Sequence, residues 1–403
     1  MRAALSRGET AVPGRADPIP AGDALRRAHA LAPRPAAEWV PLERLRGRRL
    51  AAAVFARRDL PSADCSAMDG WALRAADAAG PLRVRGESAA GHAPLRAIAP
   101  GEACRISTGA VMPAGADAVL RREDGDEAGG FLVPATALRP GADVRPLGDD
   151  LTAGQEILAA GHPVAAHEVA VVAAAGHAGA FCRRAVRVAI ATTGDELVAP
   201  GAPVPRGGVV DTNLIGLTAQ AEAAGALVCA SAHAPDDHDA TLAAFSGLLD
   251  ESPDVLITVG GISVGAHDHV GPALERLGAR WELRGVAMRP GHPVGVAVCG
   301  PTVVLAIPGN PAAAAVSFHL LGRPLLGAPD DWLRSLPLQR PVPRHERATT
   351  FLRCTEEAQY LVPLDRQGSA QLSSLARATA LAWIEPGAGS VVAGSAIPVS
   401  RMP

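Results

Sequence analysis

The chain has 403 residues, of which 48% are hydrophobic and 20% charged, so it is expected to fold into roughly two to four domains. Its 41 acidic and 38 basic residues give a net charge of -3, and aromatic residues make up 3%, which excludes nucleic-acid binding through charge or base stacking. The six cysteines form no CxxC pair, and the sequence shows neither a signal segment nor an apolar stretch of about 18 residues. We therefore expect a cytoplasmic protein without a disulfide framework or a membrane span.

The first 140 residues change character twice. Residues 1–16 are polar and basic and are predicted to be a disordered tail. Residues 17–55 begin with a short helical pattern and are expected to form an elongated segment together with residues 141–180, where LTAGQEILAAG and HEVAVVAAAG predict a strand and a helix. Between these two parts, residues 56–140 hold short apolar runs separated by Gly and Pro, which predicts an inserted β-rich domain.

The second half of the chain alternates strand and helix patterns. Within residues 181–327, VRVAIATTG, ALVCASAHA, DVLITVGG and VVLAIPGNP predict strands, with helical patterns between them. This alternation predicts a parallel, doubly wound α/β sheet with helices on both faces. Residues 328–403 return to short strands and turns, so a separate C-terminal β domain is expected. The predicted fold class is thus multidomain α/β.

Acidic and glycine-rich clusters follow the predicted strands of this sheet, at the edge where open parallel sheets bind ligands. The clusters are residues 194–196, Asp236 with Asp237, residues 260–268 and residues 308–311. One acidic residue at a helix start is most often a cap, but several on one rim favour a binding site. Converging carboxylates repel one another and need a cation, and oxygen ligands suit Mg²⁺ held jointly with phosphate.

Glycines on the same rim point to an anionic ligand. Gly260, Gly261 and Gly265 would let backbone N–H groups approach a phosphate. No GxxxxGK[ST] motif and no GxGxxG motif occurs, which argues against a P-loop or dinucleotide site. A zinc site at His267, Asp268 and His269 is an alternative, but no further ligand can be placed from the sequence, so we favour loop residues beside a carboxylate.

Eight motifs resemble one known family. They occur in order between Ser66 and Ser369 and are SAMDGWA, ISTGAVMPAGADAV, TTGDEL, DTN, VGGISVGAHD, MRPGHP, IPGNP and QGS. The resemblance as a whole extends from about Asp17 to Val399. This pattern is similar to the molybdopterin molybdenumtransferase, or MoeA, family, which includes the C-terminal domain of gephyrin. The resemblance implies a MogA-like α/β domain, an elongated segment, an inserted β domain and a C-terminal β domain.

The resemblance also implies an activity and partners. A homodimer is expected, with the active site between the α/β domain of one subunit and the inserted β domain of the other. The implied reaction takes adenylylated molybdopterin and molybdate, inserts the metal into the dithiolene and releases AMP, with Mg²⁺ as cofactor. Transient contacts with the adenylyltransferase and with apo-molybdoenzymes are also implied.

Individual site residues carry over by their motifs. The positions that match catalytic residues of the family are Asp69, Thr108, Glu196, Asp236 and Asp268. The last three are also the expected Mg²⁺ ligands. Thr108 can hydrogen-bond a substrate oxygen, whereas Asp69 could also be only a turn residue before a glycine. The expected substrate-binding residues are Asp150, Gly260, Gly261, Ser263, Gly265, Arg289, His292, Pro308, Gly309, Asn310, Pro311 and Ser369.

The basic side departs from the family pattern, because the chain contains no lysine. Where the family usually has KPGKP, this chain has RPGHP, with Arg289 and His292 in place of the two lysines. Arginine keeps a permanent charge and can bind an oxyanion bidentately, whereas histidine is only partly charged near neutral pH. Two alternatives stay open: a non-catalytic cofactor-binding or handoff protein of the same fold, and a nucleotide-cleaving enzyme that shares only the α/β domain.

Overall fold

A computed structural model describes residues 18–92, 96–262, 268–328, 331–332 and 334–402. The chain divides into two compact units. The first unit contains the described residues up to Pro35 and those from Ala185 onward, and the second contains residues 36–184. The predicted tail and the predicted site residues Ser263 and Gly265, together with His267, lie outside the described residues.

The first unit contains a six-stranded sheet built from the predicted strand–helix alternation. Its strands, in spatial order, are Leu227–Ala234, Arg187–Thr193, Val255–Val259, Thr302–Ile307, Gly295–Cys299 and Arg280–Arg284. The first four are parallel, which confirms the predicted sheet, and Ile190 pairs with Ile257 in the central register. The last two strands are antiparallel and extend one edge, a pairing that the sequence did not indicate.

Helices cover both faces of this sheet. They are Ala21–Leu31, Thr212–Ala223, His238–Asp250, Val270–Arg276, Pro311–Ser317 and Arg323–Leu325, with a π-helical turn at Phe318–Gly322. One core packs around Leu217 and Val316, and a second packs around Phe245 and Leu274. Because the central strands are buried on both faces, their sequences are apolar at nearly every position rather than alternating. The doubly wound α/β fold is confirmed.

The C-terminal β domain is a seven-stranded sheet that recruits two distant segments. Its strands are Ile19–Pro20, Val286–Arg289, Arg334–Pro337, Thr349–Glu357, Tyr360–Pro363, Ala380–Ile384 and Ala396–Arg401, and a short pair, Val342–Pro343 with Ser390–Val391, lies beside it. Val286–Arg289 pairs in parallel with Thr349–Glu357. The predicted boundaries place this segment in the α/β domain, whereas its strand pairs with the C-terminal sheet. They place residues 19–31 in the elongated segment, whereas these residues pair and pack within the first unit.

The second unit contains a six-stranded sheet and a ladder of short strand pairs. The sheet strands are Gly70–Leu73, Leu82–Ser88, Glu102–Ile106, Ala118–Arg121, Gly125–Ala128 and Phe131–Pro134. The pairs are Ala37–Pro41 with Gly179–Arg183, Val54–Phe55 with Glu156–Leu158, and Cys65–Ser66 with Val144–Arg145, and one helix spans Glu168–Ala174. Within the described part of the chain, no helix has the length and apolar content needed to cross a bilayer.

Candidate active site

Two acidic turns adjoin at the carboxyl ends of the first two parallel strands. The backbone N–H of Asp195 donates to Asp236 Oδ2 at 3.4 Å, and the backbone N–H of Asp236 donates to Asp195 Oδ1 at 3.1 Å. The Glu196 carboxylate folds back over Gly194, where an added Cβ would lie 2.5 Å from Oε2. The exposed carboxylates of Glu196 and Asp236 therefore lie on neighbouring turns of one rim, as predicted.

Asp268 precedes the helix Val270–Arg276 on the same rim. Its Oδ1 atom is buried and has no hydrogen-bond partner among the residues that the structure describes. This burial raises the pKa of the carboxyl group to about 6, although the backbone N–H groups of Gly271 and Val270 and the nearby Arg284 act in the opposite direction. A carboxylate with one unpartnered oxygen is costly unless a cation or a ligand donor approaches it.

A histidine pair locates Asp268 relative to the other acids. The ring of His269 lies 6.2 Å from that of His238, edge to face, and His238 begins the helix that follows Asp236 and Asp237. The turn containing Asp268 therefore neighbours the turn containing Asp236. The side chain of Asp237 caps its helix by accepting from the N–H of Ala240 at 2.8 Å, so Asp237 is a capping residue.

The acids of the rim suit a cation that is shared with a ligand. Among the residues that the structure describes, no three His, Cys, Asp or Glu side chains are grouped so that they alone could hold a metal ion. Mg²⁺ commonly uses one or two carboxylates and completes its shell with phosphate oxygens and water. The unpartnered oxygen of Asp268 and the exposed carboxylates of Glu196 and Asp236 fit that role. A closed zinc site needs four protein ligands, so His269 and Asp268 alone do not make one.

Glycines let the neighbouring loops approach closely. Gly260 and Gly261 have φ values of +92° and +53°, a conformation that favours glycine. A Cβ on Gly309 would lie 3.5 Å from the Cα of Gly260, and the Asn213 side chain donates to the Gly309 carbonyl at 2.7 Å. The DTN, VGG and PGNP motifs thus meet at the rim.

A cleft of about 720 Å³ lies between this rim and the C-terminal β domain. Pro308 and Asn310 line its rim side, and Arg289, His292 and Ser369 also line it. The structure therefore brings the predicted basic residues to the same cleft as the PGNP loop.

Strand pairing positions the exposed guanidinium of Arg289. Arg289 ends a strand that pairs with the C-terminal sheet, and it lies opposite Thr350. The imidazole of His292 is held by a hydrogen bond of 2.9 Å between Nδ1 and the Val286 carbonyl. Arg289 ends this strand and His292 follows it by three residues, so the pairing of the strand fixes the position of the RPGHP motif on the cleft wall.

Arg353 is not among the residues predicted from the sequence. This side chain is fully buried in the strand Thr349–Glu357, and its Nη2 donates to the carbonyls of Arg366 and Gly368 at 3.1 and 3.0 Å. Burial lowers the pKa of the guanidinium, whose Nε and Nη1 atoms have no hydrogen-bond partner in the described part of the chain. The carbonyl of Ser369 in turn accepts from the first N–H groups of the helix Pro311–Ser317. The sequence feature that could have pointed to Arg353 is a single arginine inside the otherwise largely apolar run FLRCT.

The second unit contains the other predicted catalytic pair. Asp69 Oδ1 accepts from the backbone N–H of Thr108 at 2.7 Å and from its hydroxyl at 3.0 Å. These two hydrogen bonds lower the pKa of Asp69, and both residues are exposed. The motifs SAMDG and STGA are therefore adjacent on the surface of the second unit, where Asp69 and Thr108 join them. The described structure shows no side-chain contact between this pair and Asp150, which is also exposed.

Comparison with known proteins covers most of the chain. Residues 19–176 match the MoeA N-terminal region (domain I and II), residues 189–328 match a probable molybdopterin binding domain, and residues 335–401 match the MoeA C-terminal region (domain IV). The molybdopterin molybdenumtransferase of Synechococcus elongatus is 34% identical over 91% of this chain and 95% of its own length. That of Bacillus subtilis is 31% identical over 95% and 94%.

A solved structure shows the same architecture. The crystal structure of a molybdopterin biosynthesis MoeA protein from Pyrococcus horikosii superimposes with a TM-score of 0.83 at 28% identity, over 96% of this chain and 99% of that one. The doubly wound domain with its acidic rim and the fused β domains thus define an enzyme class of molybdenum cofactor biosynthesis. The chain belongs to the molybdopterin molybdenumtransferase family.

Proposed function

We propose that this chain inserts molybdate into adenylylated molybdopterin and releases AMP, which yields molybdenum cofactor. The observation that carries the proposal is the cleft in which Arg289, His292 and Ser369 adjoin the PGNP loop of the acidic rim. A substrate with a phosphoanhydride and a second, oxyanionic substrate need these two kinds of charge side by side. Relatives that carry the name molybdopterin molybdenumtransferase support the assignment.

The acidic rim is suited to the phosphoanhydride. Glu196, Asp236 and the unpartnered oxygen of Asp268 would hold Mg²⁺, and the bound ion would neutralise charge on the phosphate oxygens. Gly260 and Gly261 leave the backbone open for close approach of the same oxygens.

The cleft is suited to the oxyanion. The exposed guanidinium of Arg289 has no partner among the described residues, so its N–H donors are available for a tetrahedral oxyanion. Atoms balance in the overall reaction: forming two Mo–S bonds from a dithiol and molybdate releases one water, and cleaving the phosphoanhydride consumes one. The residues of the chain would bind the two substrates next to each other and compensate their negative charges.

The expected partners and compartment belong to the same proposal. A homodimer would complete each site with the Asp69–Thr108 pair of one subunit and the acidic rim of the other. The free state of all six cysteines supports the cytoplasm as the compartment. Transient contacts with the adenylyltransferase and with apo-molybdoenzymes would supply the substrate and receive the product.

The decisive experiment measures AMP release. Purified protein is given adenylylated molybdopterin and Mg²⁺, with and without molybdate, and the product is tested for activation of a cofactor-free molybdoenzyme. AMP release that depends on molybdate, together with activation of the molybdoenzyme, supports the insertase. In the Arg289→Ala variant, AMP release should no longer respond to molybdate. Ligand binding without AMP release at any molybdate level would instead support the non-catalytic handoff protein. AMP release without any need for molybdate would support the nucleotide-cleaving enzyme.

A mixing experiment tests the shared site. Asp69→Asn and Glu196→Gln variants should each be inactive alone. If each site takes residues from two subunits, dimers reassembled from an equal mixture should recover about a quarter of the unsubstituted activity, because half are mixed and one of their two sites is intact. No recovery in dimers shown to be mixed would contradict the shared site.

A further inference from the structure

His345 faces the same cleft from the C-terminal β domain. It lies in the turn before the strand Thr349–Glu357 and lines the cleft together with Arg289 and His292. It is partly exposed, and its carbonyl accepts from the N–H of Gly387 at 3.0 Å, which ties the turn to the domain. Neither the motifs nor the resemblance singled out this histidine.

Two backbone donors fix the tautomer of His345. Its Nδ1 atom accepts from the N–H of Arg347 at 3.2 Å and from the N–H of Ala348 at 3.0 Å. A backbone N–H can only donate, so Nδ1 must present its lone pair, and the neutral ring carries its proton on Nε2. No acceptor for Nε2 is present in the described structure. A residue of the cleft lining therefore has an N–H donor at Nε2, and the backbone holds its ring in place.

His292 presents the opposite polarity. Its Nδ1 faces the Val286 carbonyl at 2.9 Å, and a carbonyl can only accept, so the proton of this ring lies on Nδ1. In the neutral ring, Nε2 of His292 is then an acceptor. Of the two imidazoles on the cleft, only His345 is built as a neutral donor.

We propose that His345 binds the oxyanion by donating its Nε2–H to one of the oxygens, beside the guanidinium of Arg289. This inference rests on the proposed function and adds a specificity residue to it. The ligand class is a tetrahedral oxyanion with unprotonated oxygens, which is molybdate in the proposed reaction. Such a donor compensates in part for the lysine that the RPGHP motif lacks.

Two substitutions separate this role from a role in the turn. In His345→Asn the side-chain oxygen can still accept from the two backbone N–H groups, but the distal donor is lost. In His345→Gln an amide N–H can reach the place of Nε2, but the acceptor near the backbone is lost. The pair therefore dissects the two ends of one ring, and the full-length chain is used throughout.

The measurement is the dissociation constant for sodium molybdate by titration calorimetry, with thermal unfolding as the stability readout. We expect His345→Asn to weaken binding about tenfold, the usual effect of losing one hydrogen bond to a charged group, with unchanged unfolding. His345→Gln should stay within about threefold of the unsubstituted chain, even if its unfolding temperature falls.

Opposite results would overturn the proposal. Unchanged binding by His345→Asn, or equal weakening by both variants with lowered unfolding temperatures, would assign His345 to the turn alone. Failure of the proposed function looks different: the unsubstituted chain would bind no molybdate, or Arg289→Ala would bind it unchanged. The experiment therefore distinguishes loss of the His345 role from loss of the anion site itself.

Discussion

Asp268 is expected to trade stability for function, and Asp268→Asn tests this. The buried, unpartnered Oδ1 raises the pKa of the carboxyl group from 3.8 to about 6. A shift of about two units corresponds to about 3 kcal/mol that the folded protein loses when the group ionises. Asparagine does not ionise, although its amide carries a smaller desolvation cost of about 1 kcal/mol. Above the folded pKa, the variant should be the more stable protein by about 2 kcal/mol.

The sign of the pH dependence follows from the raised pKa. Below the unfolded value of 3.8 both states hold the proton, and the folded state loses it last. The stability that this proton gives the unsubstituted protein is therefore complete at low pH and is lost as the pH rises through the window from 3.8 to about 6. The difference between variant and unsubstituted protein should grow across that window and then stay level.

Native-state hydrogen exchange of the strand Val255–Val259 measures the effect inside the α/β domain. The free energy of opening is compared for both proteins from about pH 4.5 to about pH 7.5, in buffer with a chelator. Adding Mg²⁺ with AMP should narrow the difference, because only the carboxylate gains a cation. A difference that does not change with pH, or a variant that is less stable at the upper end, would refute the reasoning. Activity of the variant should be lost in either case.

Three further predictions concern other sites. Thr108→Val removes the 3.0 Å hydrogen bond to Asp69, so it should raise the pKa of that carboxyl group, as NMR titration would show. It should also lower the rate of AMP release severalfold without changing the unfolding temperature. His319 is buried against Ser400 and Arg323, which lowers its pKa from 6.5 to about 4. As the pH falls from 6.5 to about 4, the free energy of unfolding of the unsubstituted protein should therefore drop by about 3 kcal/mol more than that of His319→Gln. Urea unfolding at several pH values measures this difference. Gly70→Ala places a Cβ against the Leu120 carbonyl and should destabilise the inserted β domain by several kcal/mol, whereas Gly80→Ala, with open space around it, should stay within about 0.5 kcal/mol in thermal unfolding.

Local pattern was enough for the elements of the α/β domain and for its acidic rim. The apolar runs and amphipathic stretches set the four parallel strands and their helices, and the topology of such sheets gathers the residues after each strand at one edge. Glu196, Asp236 and Asp268 could therefore be placed together without coordinates. The eight motifs added Asp69 with Thr108, which the structure shows to be hydrogen-bonded.

Only the tertiary structure decided which distant segments meet. The strand Val286–Arg289 joins the C-terminal sheet, and this pairing carries Arg289 and His292 to the cleft. Arg353 donates to two backbone carbonyls, and His345 accepts from two backbone N–H groups. These partners lie in turns whose position only the folded chain shows. Strand pairing between remote segments depends on packing and on the closing of long loops, and neither leaves a periodic signal in the residues. The sequence by itself therefore determined which acidic and glycine residues form the rim. The tertiary structure determined which hydrogen-bond donors and acceptors line the cleft beside that rim.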